Sequence, residues 1–278
     1  MTSELTRRLT VAAIGIPVCV AVAWVGGWIF AAGLGILAWI AVREIGAMIG
    51  ERSDRAVFRA ACFLAGLFPL AALVGGLPAV AWLTVGSLIL LLGLATLRIP
   101  PHDMPFQTAA LAFTAAFYVG GMLSFGVPLR EWLPGRLEGT LLFFLPIVVT
   151  WAVDTAAYTG GRAFGRRKMA PAISPNKTVE GGLSGLLAGP IMAIAYGLIA
   201  LPSLAGDLGI VRLTVLGLLL AVAAVLGDLV ESSLKRECGV KDSSNLLPGH
   251  GGLLDRMDSL LWTIPVAWFF FYLFAAGA

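Results

Sequence analysis

Between residues 228 and 258 the chain sets acids and bases side by side: Asp228, Glu231, Lys235, Arg236, Glu237, Lys241, Asp242, Asp255, Arg256 and Asp258, with His250 among them. Only 13% of the 278 residues are charged, and a charge held at bilayer depth is costly, so the clustering asks for a use. Carboxylate oxygens suit hard divalent cations, and Lys and Arg neutralise phosphate, so the mixture fits a cation and a phosphorylated substrate handled together at a membrane surface. Asp228, Glu231 and Lys235 follow an i, i+3, i+7 spacing and share one helical face. Asp255 and Asp258, again i, i+3, stand at the mouth of the next apolar run. The glycines of the turn over 248–252 let a ligand approach the backbone closely. Ion pairs of Asp228 or Glu231 with Lys235 or Arg236, and acids favoured at a helix N-terminus, would explain part of the pattern, and Glu237 and Asp242 read as solvated. Asp228, which follows an apolar stretch from Val215 to Gly227, is poorly explained in that way.

A second polar region lies upstream. Asp154 sits inside an apolar run and is a functional candidate, with pairing to Arg162 as the structural alternative. A basic loop rich in Pro and Gly follows, ending in Ser174-Pro175-Asn176-Lys177-Thr178, read as a turn into the next span. Thr178 is placed to cap that helix, whose exposed N–H groups and Lys177 would attract an anion, although ordinary capping explains the same residues. The first half shows nothing that looks catalytic. Arg43 and Glu44 read as a snorkelling pair at a helix end, and His102-Asp103 as turn residues.

The elements that position these residues are membrane helices. The chain is 59% hydrophobic with a mean hydropathy of +0.92, well above the apolar share of a soluble domain. Each crossing needs about 20 apolar residues, and the pattern predicts nine: 10–25, 28–48, 57–75, 79–97, 107–127, 139–160, 180–201, 211–233 and 256–275. With nine spans, 16 of the 19 Lys and Arg fall on the N-terminal side and only Arg130, Arg136 and Arg212 on the other. The positive-inside rule then puts the N-terminus and the charged loops in the cytoplasm and the C-terminus across the membrane. The net charge of +3 follows from that asymmetry and is no sign of nucleic acid. Residues 1–25 look like a signal sequence without a convincing cleavage site and are read as a retained first helix. Cys19, Cys62 and Cys238 are too few and scattered for a disulfide framework or a zinc site. The expected organisation is all-α and polytopic. Helices of 1–127 form a scaffold, and 128–278 form a catalytic region with its signature at 232–258.

That signature is specific. The run Ser232-x-Leu234-Lys235-Arg236, then Lys241-Asp242, then Leu247-Pro248-Gly249-His250-Gly251-Gly252-Leu253-x-Asp255-Arg256-Met257-Asp258 resembles that of the phosphatidate cytidylyltransferase (CDP-diacylglycerol synthase) family, without departure over its 27 positions. Asp154 with the run AYTGGRAFGRR, and the segment from Ser174 to Gly181, resemble two further family elements. Asn176 stands where many members carry a basic residue, which weakens one phosphate contact. The resemblance covers roughly 154–258; the N-terminal half is similar only in being hydrophobic.

The resemblance implies a transferase at the cytoplasmic face of the inner cell membrane. It would join CTP to phosphatidate with Mg²⁺, and a second cation, and release pyrophosphate. It implies Asp228, Asp255 and Glu231 as metal ligands, and Lys235, Arg236, Lys241 and Asp258 as catalytic residues. Lys177, Ser174, Thr178, Ser232, His250 and Arg256 would contact substrate phosphates. Partners would be membrane lipids and a second copy in a homodimer. Two rivals fit less well. A CDP-alcohol phosphotransferase would show a compact D-x2-D-G-x2-A-R element, which is missing; a polyprenol kinase is the related alternative. A cation-coupled transporter would place its acids near mid-bilayer, often in inverted repeats, and no repeat is evident.

Overall fold

In lipid the backbone must satisfy its own hydrogen bonds, and an apolar chain with 34 glycines does so by closely packed helices. The computed structural model describes residues 2–50, 54–246 and 251–274, with side chains from residue 13 onward. The helices are α1 (Thr2–Val25), α2 (Gly27–Ile49), α3 (Arg55–Arg98), α4 (Pro105–Ala116), α5 (Met122–Ser124), α6 (Gly126–Arg130), α7 (Arg136–Phe164), α8 (Val179–Ala200), α9 (Pro202–Glu237) and α10 (Leu260–Phe274). A π-helical turn at Phe117–Gly121 joins α4 to α5. The all-α expectation needs one addition: β1 (Lys168–Ala170) and β2 (Ser174–Thr178) pair as an antiparallel ribbon, with Lys168 opposite Thr178 and Ala170 opposite Ser174. Residues 174–178, expected as a turn, are therefore a strand.

Among the described residues six helical stretches are long and apolar enough to cross a membrane, and this is a multi-pass membrane protein: Gly27–Ile49, Arg55–Arg98, Pro105–Arg130, Arg136–Phe164, Val179–Ala200 and Pro202–Glu237. Ala13–Val25 and Leu260–Phe274 are shorter apolar helices. The 44-residue α3 is not one rod, because Gly75 and Gly76 leave helical geometry and Gly76 has φ 61°. Straight, it would be roughly 66 Å long at the rise of an α-helix, yet Arg98 Nε lies 3.8 Å from Asp54 Oδ1, the residue that caps its start. The chain doubles back at the two glycines. α9 is likewise interrupted at Gly209, with φ 72°.

The chain forms two compact units, Met1–Glu131 with Cys238–Arg256, and Trp132–Glu237 with Met257–Ala278. Most of the signature segment thus clusters with the first helices in sequence. In the first unit, the buried Arg130 donates to the Ala23 and Trp24 carbonyls at 3.0 and 3.2 Å and pairs with Glu131 at 3.1 Å. This satisfies the last carbonyls of α1 at its reversal into α2. Arg55, Arg59, Arg98 and His102 line an open cleft of about 900 Å³ where the two ends of α3 meet α4.

In the second unit, α8 and α9 approach backbone to backbone: a Cβ on Gly217 would lie 2.6 Å from the Gly189 carbonyl oxygen. Thr150 on α7 meets Thr263 on α10 at 3.2 Å. Gly227 on α9 packs against the chain entering α10, where an added Cβ would meet the Asp258 carbonyl oxygen at 2.8 Å and Ser259 Cα at 3.0 Å. Ser259 Oγ then donates to the Ala224 carbonyl at 3.1 Å.

Candidate active site

The second unit holds a cleft of about 510 Å³ formed by α7, the β-ribbon, α8 and α9, with Asp154, Tyr158, Arg162, Asn176, Lys177 and Asp228 on its wall. Glycines set its shape. A Cβ on Gly181 would meet the Ala157 carbonyl oxygen at 2.6 Å and Gly161 Cα at 3.1 Å, so α7 and α8 touch through bare backbone. Thr178 caps α8 by accepting from Gly181 N at 3.1 Å, as its position in the sequence suggested. Glu180 accepts from Arg166 N at 3.0 Å and Arg167 N at 3.2 Å, which fixes the chain between α7 and β1.

These constraints deliver Lys177, the last residue but one of β2, to Asp228 on α9. Lys177 Nζ is 2.5 Å from Asp228 Oδ2, and both side chains remain partly open, 24% and 32% exposed. The other oxygen of Asp228 accepts from Ser232 Oγ at 3.2 Å. The close packing at Gly227 sets Asp258 beside Asp228, and the charges of Asp258, Asp228 and Lys177 all bear on Asp154. Asp258 precedes α10. Burial, and after it the Asp228 charge, push its carboxyl above the ordinary carboxylate range. Glu231 on α9 is fully buried and accepts from Lys235 Nζ at 3.0 Å. Lys177 thus pairs with Asp228 while its charge also reaches Asp154, Asp258 stands beside Asp228, and a fourth acid, Glu231, lies with its own lysine one turn further along α9.

Some expectations change. Asp154 is not partnered by Arg162, whose guanidinium instead contacts the Tyr158 hydroxyl at 3.5 Å. Ser232 donates to Asp228 and so orients it. Arg236 Nε donates to the Ile173 carbonyl at 3.3 Å, tying α9 to the ribbon turn, and Ser174 is half-buried in β2.

The remaining signature residues belong to the first unit. Asp255 is buried, and its Oδ2 accepts from Ser243 N at 2.9 Å, Ser243 Oγ at 3.0 Å and Gly252 N at 2.8 Å. Lys241 and Arg256 are exposed. His250 lies outside the described residues. The residue that sequence reasoning missed is Glu44. It is no snorkelling partner of Arg43, which packs over the Trp39 ring at 5.6 Å. Only 4% exposed, Glu44 accepts from Ser243 Oγ, Ser244 Oγ, Leu253 N and Leu254 N at 3.1, 2.6, 2.9 and 2.8 Å. Its one signal was an acid within an apolar helix.

Interleaved carboxylates and lysines at helix ends thus mark a charged cleft in a membrane-embedded protein. The comparisons narrow this class. The description "Cytidylyltransferase family" matches residues 6–274, and the chain belongs to that family. It is 39% identical over 169 residues to a phosphatidate cytidylyltransferase of Haemophilus influenzae, covering 60% of this chain and 58% of that protein. A Bacillus subtilis phosphatidate cytidylyltransferase is 39% identical over 175 residues, 63% of this chain and 62% of the relative. One from Staphylococcus aureus is 32% identical over 210 residues, 67% and 79%. The matched region thus spans about three-fifths of the first two relatives.

Proposed function

We propose that this protein is a phosphatidate cytidylyltransferase: CTP and phosphatidate give CDP-diacylglycerol and pyrophosphate. The observation that carries the reading is Lys177 against Asp228 at the cleft wall, within the segments that resemble the family. A phosphate oxygen of phosphatidate attacks the α-phosphorus of CTP. The bond from that phosphorus to the oxygen bridging to the β-phosphorus breaks, and its electrons leave with pyrophosphate. The attacking oxygen is already anionic at neutral pH, so positioning and charge neutralisation matter more than a base. Lys177 has three donors, enough to keep Asp228 and also meet a phosphate oxygen. By the family resemblance, Lys235, Arg236, Lys241, His250 and Arg256 and the hydroxyls of Ser174, Thr178 and Ser232 are assigned to substrate phosphates or to the groups that hold them.

The donor chemistry fits Mg²⁺. The acids offer only oxygen, and this ion is usually held by one or two carboxylates plus substrate phosphates. Among the described residues no three His, Cys, Asp or Glu form a complete metal cage, which is compatible with such shared binding. Asp228, Asp255 and Glu231 are the ligands that the family resemblance suggests, with Asp258 in support; a second cation is part of the proposal. Bound there, Mg²⁺ would offset charge on the triphosphate and on the leaving pyrophosphate. Glu231 is already committed to Lys235, so Asp228 is the stronger assignment.

The proposed setting is the inner cell membrane, crossed nine times, with the N-terminus and the site cytoplasmic, the C-terminus on the far side, and the protein a homodimer. The reversal within α3 supports two crossings there. Residues 1–127 are proposed as scaffold and 128–278, with the signature, as the catalytic region. The test is pyrophosphate release by purified protein in mixed micelles. Release that needs both CTP and phosphatidate is expected; release with CTP alone, or none at saturating Mg²⁺, overturns the reading.

A further inference from the structure

We propose that Glu44 is a positioning residue whose buried carboxylate clamps the base of the signature loop and so sets Asp255 and Lys241 for substrate and cation. This rests on the transferase reading above. Glu44 lies on α2, about 200 positions before its partners in sequence. Each of its oxygens takes one hydroxyl and one backbone amide. Oε1 accepts from Ser244 Oγ and Leu253 N, and Oε2 from Ser243 Oγ and Leu254 N. One carboxylate thus grips the chain at 243–244 and again at 253–254.

The clamp is built tightly. Gly252 leaves no room for a side chain: an added Cβ would collide with Ser243 Oγ and lie 2.8–2.9 Å from both Glu44 oxygens. Gly251 takes φ 81°, which suits glycine, to bring the chain into the clamp. Ser243 Oγ is shared, 3.1 Å from Glu44 and 3.0 Å from Asp255. The proposed metal ligand is therefore one hydroxyl away from Glu44 and moves with it. An ionised carboxylate away from water is retained only where donors surround it. Here all four come from the loop that bears the signature, not from the scaffold helices.

Full-length protein in detergent micelles tests this with two readouts on Glu44→Ala, Glu44→Gln and the milder Ser244→Ala. Glutamine presents an NH₂ group to one backbone amide, so at least that bond is lost. The first readout is hydrogen exchange in peptides over 251–260, which contain the Leu253 and Leu254 amides. Exchange there should rise at least tenfold in both Glu44 variants and severalfold in Ser244→Ala, while peptides from 27–43 and 55–74 keep their protection. The second is the Mg²⁺ concentration for half-maximal turnover, which should rise at least tenfold in both Glu44 variants. Unchanged exchange at 251–260 overturns the clamp. Faster exchange with wild-type Mg²⁺ dependence and kcat leaves Glu44 a structural staple and overturns the positioning role. If Glu44→Ala does not fold, Glu44→Gln and Ser244→Ala decide between the same outcomes. A wild-type protein with no CTP- and phosphatidate-dependent turnover fails the transferase reading and the positioning role with it, while hydrogen exchange still tests the clamp.

Discussion

Lys177 and Asp228 meet at 2.5 Å although 51 positions separate them, and the bond joins the strand that enters α8 to the charged end of α9. Three glycine contacts make the meeting possible: Gly181 against Gly161 and the Ala157 carbonyl, and Gly227 against the chain entering α10. Asp228→Asn keeps the size of the side chain and removes its charge. Turnover should fall by at least ~10²-fold, the loss expected when a ligand to a catalytic cation is neutralised. Near-normal turnover at saturating Mg²⁺ would take Asp228 out of the ligand set. The same substitution at Asp255 tests the residue that the resemblance, more than the geometry, brings forward.

The packing itself makes a separate prediction. Gly181→Ala places a methyl group 2.6 Å from the Ala157 carbonyl oxygen and 3.1 Å from Gly161 Cα. Neither is the end of a flexible side chain, so α7 and α8 must part. Overpacking of this kind costs about 1–3 kcal/mol, and thermal unfolding in detergent should show a lower Tm. A Tm equal to wild type would mean that the helices are less closely apposed than the structure has them.

Gly75 and Gly76 carry the topology prediction. The expected spans 57–75 and 79–97 are halves of α3, and the 3.8 Å approach of Arg98 to Asp54 returns the second half to the start of the first. A reporter inserted between Gly75 and Gly76 should be extracytoplasmic, and so should one fused after Ala278. A cytoplasmic signal at Gly75 would rule out paired crossings by α3, and one at Ala278 would mean an even number of spans.

The geometry was legible where it is local. Asp228, Glu231 and Lys235 share a helical face by spacing alone, and Glu231 does bond Lys235. Thr178 announced its cap by preceding an apolar run. What could not be read is what folding brings together over distance. Glu44 follows Arg43 in the last turns of an apolar helix, and its one local signal, an acid within that helix, fits an interfacial charge equally well; its four donors belong to Ser243, Ser244, Leu253 and Leu254. Strands of three and five residues containing Pro175 have too little pattern to betray a ribbon, since the pairing of Lys168 with Thr178 exists only in three dimensions. The last apolar run begins at Leu260 rather than 256 because Leu254–Arg256 form a separate 3₁₀ turn.

The basic residues divide into two groups with different consequences. Lys177 sits at the cleft with Asp228, and Lys235, 12% exposed, neutralises Glu231. Arg55 and Arg59 are exposed at the start of α3, where Arg59 Nε bonds the Arg55 carbonyl at 3.1 Å; Arg52, expected to act with them, lies outside the described residues. Lys177→Ala should raise the KM for CTP or phosphatidate, or lower kcat, because a charge-assisted hydrogen bond contributes about 1.5–3 kcal/mol, roughly ten- to a hundredfold. Lys235→Ala should damage turnover by another route, leaving the buried Glu231 charge without its lysine; Lys235→Ala with Glu231→Gln should then fold better than Lys235→Ala alone. Arg55→Ala should leave both constants within about twofold, as exposed charges usually do. All variants are compared at equal amounts of folded, membrane-inserted protein, since any of them could alter insertion. An Arg55→Ala protein as impaired in kcat/KM as Lys177→Ala would mean that the arginine-lined cleft of the first unit takes part in turnover, and that α3 is more than scaffold.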